Sequence, residues 1–396
     1  MKRLIFVVAV LLVSLPSQGQ YAPQYQLLEH FTNTRCVLCP ARNQAMYQTI
    51  ASNPGYVHLV SYHPPVPYQN DVFYVANPVP QETRRQHYGV PGTPQAFLRG
   101  ANSQSGTTLL PTSKVNAAKA DTAGIDIQLD ETLTQGDIQV LVNVRTVNEG
   151  ILPTSADYRL FVILIEDSVE YSAPNGEDLH LNIFREALTD MEGDIISAQT
   201  MGGSTPVSFT YTLNQDWDAN HVHALAFIFH DTDGFINSGR AGDLRVSVSA
   251  SASTNGSDGT AIVSVSGGLA PYSYQWNDPA QQTTATASNL GAGEYLVNVT
   301  DQNGLTFQEK VTIEGVATSN LELINPFDLK SYDNWVWAED LLGEAKIRVI
   351  DLRGQLVYQT GINGSEKFKL PEFGSGIYVI ELSQREAVSR IKARLR

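Results

Sequence analysis

Residues 27–43, LLEHFTNTRCVLCPARN, contain both cysteines of the chain. The apolar run Leu27–Phe31 predicts a short strand, and the residues from the cysteines onward have helical character. Cys36 and Cys39 therefore follow a strand and lie at the start of a helix, where unpaired amides and the helix dipole favour a thiolate on the first cysteine. The positive charge of Arg35 acts in the same direction. This placement predicts a redox dithiol, with Cys36 as the attacking thiolate and Cys39 as the resolving thiol.

Three other interpretations of the cysteine pair stay open. A structural disulfide that closes a loop of about four residues adds only about 2 kcal/mol of stability, which is a weak reason to keep the pair. A zinc site normally needs four ligands, and the sequence has no second CxxC motif and no suitably spaced pair of histidines. The third interpretation is a relic disulfide on a domain that only binds. We expect neither a metal ion nor a cofactor.

The residues around the cysteines alternate between strand and helix patterns. Val57–Tyr62 is rich in β-formers, and Gln95–Leu98 is a second short run of the same kind. Strands that alternate with helices are typical of an α/β unit, which we assign to residues 21–121.

The segment GVPGTPQAF, residues 89–97, places a Thr93–Pro94 bond directly before the second of these β runs. The order of these elements resembles the thioredoxin fold, in which a strand, a CxxC motif and a helix are followed by a Thr-Pro step that leads into another strand. The resemblance implies that Pro94 is cis, faces the cysteine pair and belongs to the catalytic residues. It also implies that the backbone of Thr93 contacts a bound substrate peptide. Arg35 is a further candidate for substrate binding.

Further segments narrow the family. Several segments resemble the outer-membrane-protein-related thioredoxin-like proteins of Bacteroidetes. They are the residues before the cysteines, the CVLCPARN segment, Tyr62-His63 and the GVPGTP loop. The later stretch FVILIEDSVEYSAPNG fits the same family. The resemblance covers about residues 25–235.

Three features depart from the thioredoxin pattern. Arg35 stands where typical thioredoxins have Trp, and Val37-Leu38 stands where they have Gly-Pro. His30 lies six residues before Cys36, where thioredoxins place a buried acid that relays protons. His30 is therefore a candidate catalytic residue with a pKa nearer neutral, and a core histidine with satisfied hydrogen bonds is the alternative. His63, at the end of a strand, is a second candidate for lining the same groove.

Residues 124–240 change to a hydrophobic period of two. Their β-rich runs are separated by Gly, Asn, Asp and Pro clusters, which predicts an antiparallel Ig-like sandwich. The stretch His180–Leu188 is compatible with a short helix within it. The predicted fold class is thus a multidomain chain, in which an α/β thioredoxin-like domain is followed by all-β Ig-like sandwiches.

Residues 244–315 contain almost no Lys or Arg and many Ser, Thr, Ala and Gly. The stretches GGLAPYSYQW (267–276) and VTDQNG (299–304) resemble an SprB-type repeat, a small Ig-like sandwich of Bacteroidetes surface proteins. We expect Tyr272, Tyr274 and Trp276 to pack in its core, and a sugar-stacking platform is the alternative.

Residues 322–396 contain NPF (325–327), IDLRGQLV (350–357) and GSGIYV (374–379) in that order, and they end in a Lys/Arg-rich strand. This order resembles the C-terminal sorting domain of type IX secretion, a small β-sandwich. The resemblance implies that the type IX secretion machinery is a partner. A further Ig-like domain is the alternative.

The N-terminus and the net charge indicate the compartment. A basic pair, an apolar run of about 12 residues and small residues up to Gly19 predict a signal peptide over residues 1–19. A membrane anchor is the alternative, but a span needs about 20 residues, so we expect no transmembrane segment in the mature chain.

The chain has 41 acidic against 26 basic residues, a net charge of −15, which argues against nucleic-acid binding. We expect a secreted, cell-surface or outer-membrane protein that passes through the periplasm.

Two functions follow from these patterns. The first is thiol–disulfide exchange through Cys36 and Cys39 with thiols or disulfides of envelope or extracellular proteins, after type IX secretion. The alternative is a non-catalytic surface binding or adhesion protein that uses the thioredoxin-like unit as a scaffold. The sequence contains no GxSxG element, HExxH pair or phosphate loop, so hydrolase chemistry has no visible support.

Overall fold

The computed structural model describes residues 20–153, 157–197, 203–254, 256–315, 328–332, 334–339, 341, 343–364, 367–384 and 387–395. The predicted signal peptide, residues 1–19, lies outside the described residues. The chain divides into two units, Met1–Val316 and Ala317–Arg396.

The first unit begins with short strands and short helices. Helix α2 starts where the side chain of Asp71 accepts hydrogen bonds from the N–H groups of Phe73 and Tyr74. The elements of this stretch are β1 (Ala22–Pro23), β2 (Gln26–Phe31), α1 (Cys39–Ala51), β3 (Val57–Tyr62), α2 (Val72–Ala76), α3 (Pro78–His87), β4 (Gln95–Leu98), β5 (Ala101–Asn102), α4 (Thr112–Ala118) and β6 (Thr122–Ala123).

The next stretch consists of strands apart from one 3₁₀ turn. The suggestion of a helix at His180–Leu188 is wrong, because these residues form a strand whose Ile183 and Phe184 are buried. The elements are β7 (Ile125–Thr134), β8 (Asp137–Thr146), the 3₁₀ turn (Glu149–Ile151), β9 (Tyr158–Glu170), β10 (Leu179–Ala187), β11 (Asp194–Ile196), β12 (Ser204–Thr212), β13 (Val222–His230), β14 (Gly234–Arg240) and β15 (Arg245–Ser251).

One nine-stranded sheet joins these two stretches, in the order β14-β13-β9-β10-β3-β2-β4-β5, with β11 paired to β9. Strand β3 runs parallel to β2 on one side and to β10 on the other, where Ser61 pairs with Ile183. Strands make up 52% of the structure and helix 11%.

The predicted α/β thioredoxin-like domain at residues 21–121 is therefore wrong. Its strands do not form a sheet of their own, because β10 covers the edge of β3 that a separate domain would leave open. An uncovered edge would present unpaired backbone N–H and C=O groups, and pairing with β10 satisfies them. The fold class of the chain is mostly β.

Strand β9 explains why both faces of this sheet are covered. Its side chains alternate between the two faces with a period of two, and apolar residues occupy both sets of positions. One set, Leu160, Val162 and Leu164, packs with buried residues of β7 and β8, which belong to the three-stranded sheet β12-β8-β7. The other set, Phe161, Ile163 and Ile165, packs with buried residues of β2 and β3.

The last part of the first unit forms two three-stranded sheets, β15-β16-β18 and β17-β19-β20. Trp276 is 1% exposed, and its Nε1 donates to the carbonyl oxygen of Thr284 at 2.9 Å. Tyr272 and Tyr274 pack against the same core, so the aromatic residues do serve packing. The strands are β16 (Gly259–Ser266), β17 (Ser273–Trp276), β18 (Thr286–Leu290), β19 (Gly293–Thr300) and β20 (Thr306–Ile313).

The second unit contains two further antiparallel sheets, whose apolar residues form one core that includes Val336, Ile347 and Ile380. The NPF motif at 325–327 lies outside the described residues. The strands are β21 (Asp328–Tyr332), β22 (Trp335–Glu339), β23 (Glu344–Ile350), β24 (Leu356–Asn363), β25 (Phe368–Lys369), β26 (Gly376–Gln384) and β27 (Ala387–Leu395), in the orders β21-β22-β25 and β24-β23-β26-β27. In the part of the chain that the structure describes, no helix has the length and apolar character to cross a membrane.

Candidate functional site

The two cysteines form a disulfide at the N-terminus of α1. Cys39 is the first residue of the helix, and Pro40 fits the first turn because its missing N–H would have no partner there. The N–H of Cys36 donates to the carbonyl of Asn33 at 3.0 Å, and the N–H of Cys39 donates to the carbonyl of Cys36 at 3.1 Å. Cys36 is 4% exposed and Cys39 is 0% exposed. A partner that approaches the disulfide therefore meets Cys36 first.

The Thr93–Pro94 step lies against the disulfide. The carbonyl oxygen of Thr93 is 3.5 Å from the Sγ of Cys36, which precedes it by 57 residues. The Thr93–Pro94 peptide bond is cis, as the resemblance implies. Pro94 is buried, and its carbonyl accepts a hydrogen bond from the Nε2 of Gln104 at 3.2 Å. Four of the candidate residues from the sequence thus lie at one place.

The outer side of the turn is exposed and largely apolar. Val37 is 79% exposed and Leu38 is 57% exposed, although both are apolar. Arg35 is also exposed, and its Nε donates to the carbonyl of Asn70 at 3.3 Å. Exposed apolar side chains beside the disulfide offer contact area to a protein partner.

His30 lies in the core beneath the helix, with 0% exposure. Its Nε2 is 2.9 Å from the Oδ1 of Asn43, and its Nδ1 is 3.2 Å from the Oγ of Ser61. Burial, together with the nearby charge of His63, lowers the pKa of His30 to about 3, and only the hydrogen bond to Asn43 opposes this. The ring is therefore neutral at neutral pH, and the near-neutral pKa expected from the sequence is not found. A neutral ring that donates from Nε2 to Asn43 leaves Nδ1 as an acceptor that faces Ser61, whose hydroxyl donates to the carbonyl of Leu181 at 2.9 Å.

Asn43, Asn175 and Glu177 extend this network to the cysteine turn. The Nδ2 of Asn43 donates to Thr32 Oγ1 and to Glu177 Oε1, both at 2.9 Å. The Nδ2 of Asn175 donates to Glu177 Oε2 at 2.7 Å and lies 3.4 Å from the carbonyl oxygen of Cys36. None of these three residues was predicted from the sequence. Asn43 lies one helical turn after Cys39, so helical spacing could have identified it, whereas no local pattern indicates the other two.

His63 lies on a separate branch of polar contacts. Its Nδ1 is 3.1 Å from the Oδ2 of Asp71, which also accepts hydrogen bonds from the N–H and Oγ1 of Thr34 at 2.6 and 2.8 Å. Burial alone would raise the pKa of Asp71, but the charge of His63 and these hydrogen bonds lower it well below its ordinary range. Asp71 therefore stays ionised and holds the chain just before Cys36.

Two family matches fall after the cysteines. Residues 81–241, which include Pro94, Asn175 and Glu177, match the family of outer membrane protein Omp28. The chain is thus similar to the Omp28 outer membrane proteins. Residues 254–281 match the SprB repeat, which confirms the SprB-type resemblance. Together the two matches confirm the predicted location, and the protein is an outer-membrane or cell-surface protein.

Solved structures of related type come from Porphyromonas gingivalis. HBP35 of that organism is 19% identical with a TM-score of 0.48, over 74% of this chain and 99% of that chain. A domain of its outer membrane lipoprotein Omp28 is 20% identical with a TM-score of 0.22, over 30% of this chain and 86% of that chain. No curated protein matches the sequence.

Proposed function

We propose that this outer-membrane or cell-surface protein exchanges thiols and disulfides with protein partners through Cys36 and Cys39. The observation that carries the proposal is the asymmetry of the pair. Cys36 keeps 4% of its surface exposed beside the Thr93 carbonyl, whereas Cys39, at the start of α1, is 0% exposed. A disulfide kept only for stability would gain about 2 kcal/mol from so short a loop.

The exchange starts from the disulfide form. A thiolate of a partner dithiol attacks the Sγ of Cys36, the Cys36–Cys39 bond breaks, and Cys39 leaves as a thiolate that takes up a proton. The second partner thiolate then attacks the partner sulfur bound to Cys36, and Cys36 leaves as a thiolate. The partner has become a disulfide, and two electrons have moved to the cysteine pair. The reverse sequence reduces a partner disulfide.

The surrounding residues have distinct roles in this proposal. The helix N-terminus and Arg35 favour the thiolate form of Cys36. The backbone of Thr93 and the adjoining Pro94 line the approach to Cys36, and Thr93 and Arg35 contact the partner chain. His30 acts from beneath as a neutral hydrogen-bonding group and not as a charged acid, because the pKa of its ring is lowered to about 3.

The test is reduction of a peptide that contains one disulfide, with dithiothreitol as the source of electrons. The mature protein should accelerate this reaction, and the variants Cys36→Ser and Cys39→Ser should return it to the background rate. Alkylation of reduced Cys36 across pH should have a midpoint below about 8.5, the value of an ordinary cysteine. A midpoint near that value together with equal rates for protein and variants would overturn the proposal and favour the surface-binding alternative.

We also propose that residues 322–396 direct the protein to the type IX secretion machinery. The motif order supports this, as does a second unit that begins at Ala317 and has its own core. Deletion of Glu322–Arg396 should leave the rest of the protein in the periplasm, as measured by protease accessibility on intact cells. A truncated protein that still reaches the surface would show that the assignment is wrong.

A further inference from the structure

Glu177 lies beside the cysteine turn although it comes from a distant part of the sequence. It is half-buried, in the loop that joins β9 to β10. Its Oε1 accepts from Asn43 at 2.9 Å and its Oε2 accepts from Asn175 at 2.7 Å. Both donors are neutral amides, so these contacts hold the carboxylate in place without neutralising its charge.

Both amides connect the carboxylate to the cysteines. Asn43 follows Cys39 by one turn of α1, and the two are buried on the same face, at 1% and 0% exposure. Asn175 approaches the carbonyl of Cys36 at 3.4 Å, and its N–H donates to the carbonyl of Thr34 at 3.0 Å. The loop between β9 and β10 therefore contacts the cysteine turn and holds a carboxylate one amide side chain away from the Cys36 carbonyl and from the helical turn that begins at Cys39.

We propose that Glu177 is a positioning residue for the cysteine pair, whose negative charge disfavours ionisation of Cys39 and leaves Cys36 as the thiol that ionises first. A like charge nearby disfavours the ionised form of a thiol. Arg35 has the opposite effect at the other end of the turn. This inference rests on the proposed exchange function, because the order of ionisation decides which cysteine attacks a partner and which one resolves the mixed disulfide.

Several other titratable or charged groups surround this network and contribute to the same field. They are His30 on β2, Tyr47 on α1, His63 after β3, Asp71 before α2, His180 on β10 and Arg35 in the turn. None of these residues is itself replaced in Glu177→Gln, and the Glu177 charge acts on two of them, Tyr47 and His180. The effect of the Glu177 carboxylate on Cys39 is therefore measured by comparing a variant at Glu177 with a variant at a neighbouring position.

The experiment uses the full mature chain with Cys36→Ala, so that Cys39 is the one remaining thiol. Ionisation of Cys39 is followed across pH by the ultraviolet absorbance of its thiolate. Glu177→Gln should lower the pH at which half of Cys39 is ionised by about half a unit, which is a threefold change in the ionisation constant. Asp178→Asn is the matched control, since it removes an equal charge from the next residue, whose side chain is exposed. It should leave the titration unchanged.

Two results would overturn the inference. One is a Cys39 titration that is the same with and without the Glu177 carboxylate, and the other is an equal shift in the Asp178→Asn control. If Glu177→Gln does not fold, the ¹³C signal of the Glu177 carboxyl in the Cys36→Ala protein should change as Cys39 ionises, and a signal without such a step would overturn the inference equally. The titration measures no turnover, so a failure of the proposed exchange function appears separately, in the peptide-reduction assay.

Discussion

Glu29 and His30 are neighbours on β2 but belong to two different polar networks, one on each face of the strand. The Glu29 carboxylate is 0% exposed and accepts two hydrogen bonds from the guanidinium of Arg84, at 2.5 and 2.9 Å. Tyr88 donates to the same carboxylate. Arg84 also lies 4.9 Å from the centroid of the Phe161 ring, so this network is a charge-balanced pair enclosed by aromatic side chains.

The His30 network has the opposite character. It contains a neutral imidazole and two amides, and it ends at a half-buried carboxylate and at the cysteine turn. The comparison shows that burial alone does not identify a functional polar group. The Glu29 network is complete within the core and serves stability, whereas the His30 network carries a net charge and touches the backbone of Cys36.

The largest expected effect comes from breaking the Glu29–Arg84 pair. Arg84→Met should lower the free energy of unfolding by about 3–5 kcal/mol, because it leaves the buried Glu29 carboxylate without its cation. Denaturant unfolding measures this loss. The alkylation rate of reduced Cys36 in the folded variant should stay as in the wild type, and a changed rate would mean that the two networks are coupled.

Arg85→Met is the matched control on the same helix. Arg85 pairs with Glu82 on the partly exposed side of α3, at 2.7 Å. Pairs of this kind contribute little, so the loss should stay below about 1 kcal/mol. Equal losses for the two arginines would contradict the account of the buried pair.

Asp71→Asn tests the anchor of the cysteine turn. The carboxylate accepts from Thr34, from His63 and from the first N–H groups of α2, and the amide cannot accept all of these hydrogen bonds. The free energy of unfolding should fall by about 2 kcal/mol, as measured in denaturant at neutral pH. A variant as stable as the wild type would show that Asp71 does not hold the turn.

His30→Gln should change how stability depends on pH. The pKa of His30 is about 3 in the folded protein against about 6.5 in the unfolded chain, so between these values only the unfolded chain binds the proton. The free energy of unfolding therefore falls as the pH drops below about 6.5. Its slope against pH corresponds to at most one proton that the unfolded chain binds and the folded protein does not. Without His30, the difference in bound protons between the unfolded and folded states should decrease by about one between about pH 6 and pH 4. Denaturant unfolding at several pH values measures this change in slope. An unchanged slope would contradict the burial of a neutral His30.

Asp71 does not interfere with that measurement. Because the pKa of Asp71 is lowered on folding, its contribution to stability is complete above the unfolded value of about 3.8. It is lost only as the pH falls below that value. The effect of His30 thus appears at higher pH than the effect of Asp71.

The smallest effect concerns the exposed side of the turn. Leu38→Ser should change the free energy of unfolding by less than about 0.5 kcal/mol, because the side chain is 57% exposed. It should slow exchange with a disulfide peptide by about threefold, since contact with the partner loses apolar area. Val75→Ser is the control, as Val75 is 63% exposed on α2. Equal rates for both variants would show that Leu38 does not contact the partner.

The sequence predicted which residues lie together around the cysteines better than it predicted the fold. The spacing of Cys36 and Cys39 before a helix, and the Thr93–Pro94 step, are local patterns, and the structure brings these residues together. The partner of β3 is not a local property, because strand patterns do not say which sheet a strand joins. The predicted fold class was therefore wrong, because β3 pairs in parallel with β10, where Ser61 is opposite Ile183. Glu177 was missed for the same reason, since a loop 134 residues after Asn43 supplies it.

The most direct test of thiol–disulfide exchange is capture of its mixed disulfide. The mature protein with Cys39→Ala, in its reduced form, is incubated with a peptide that contains one disulfide, and the products are separated without reductant and mapped by mass spectrometry. Cys39→Ala should retain the peptide on Cys36, because no resolving thiol remains to release it. The Cys36→Ala protein should retain none. Equal capture by the two variants, or no capture by either, would contradict the assignment of Cys36 as the attacking thiol.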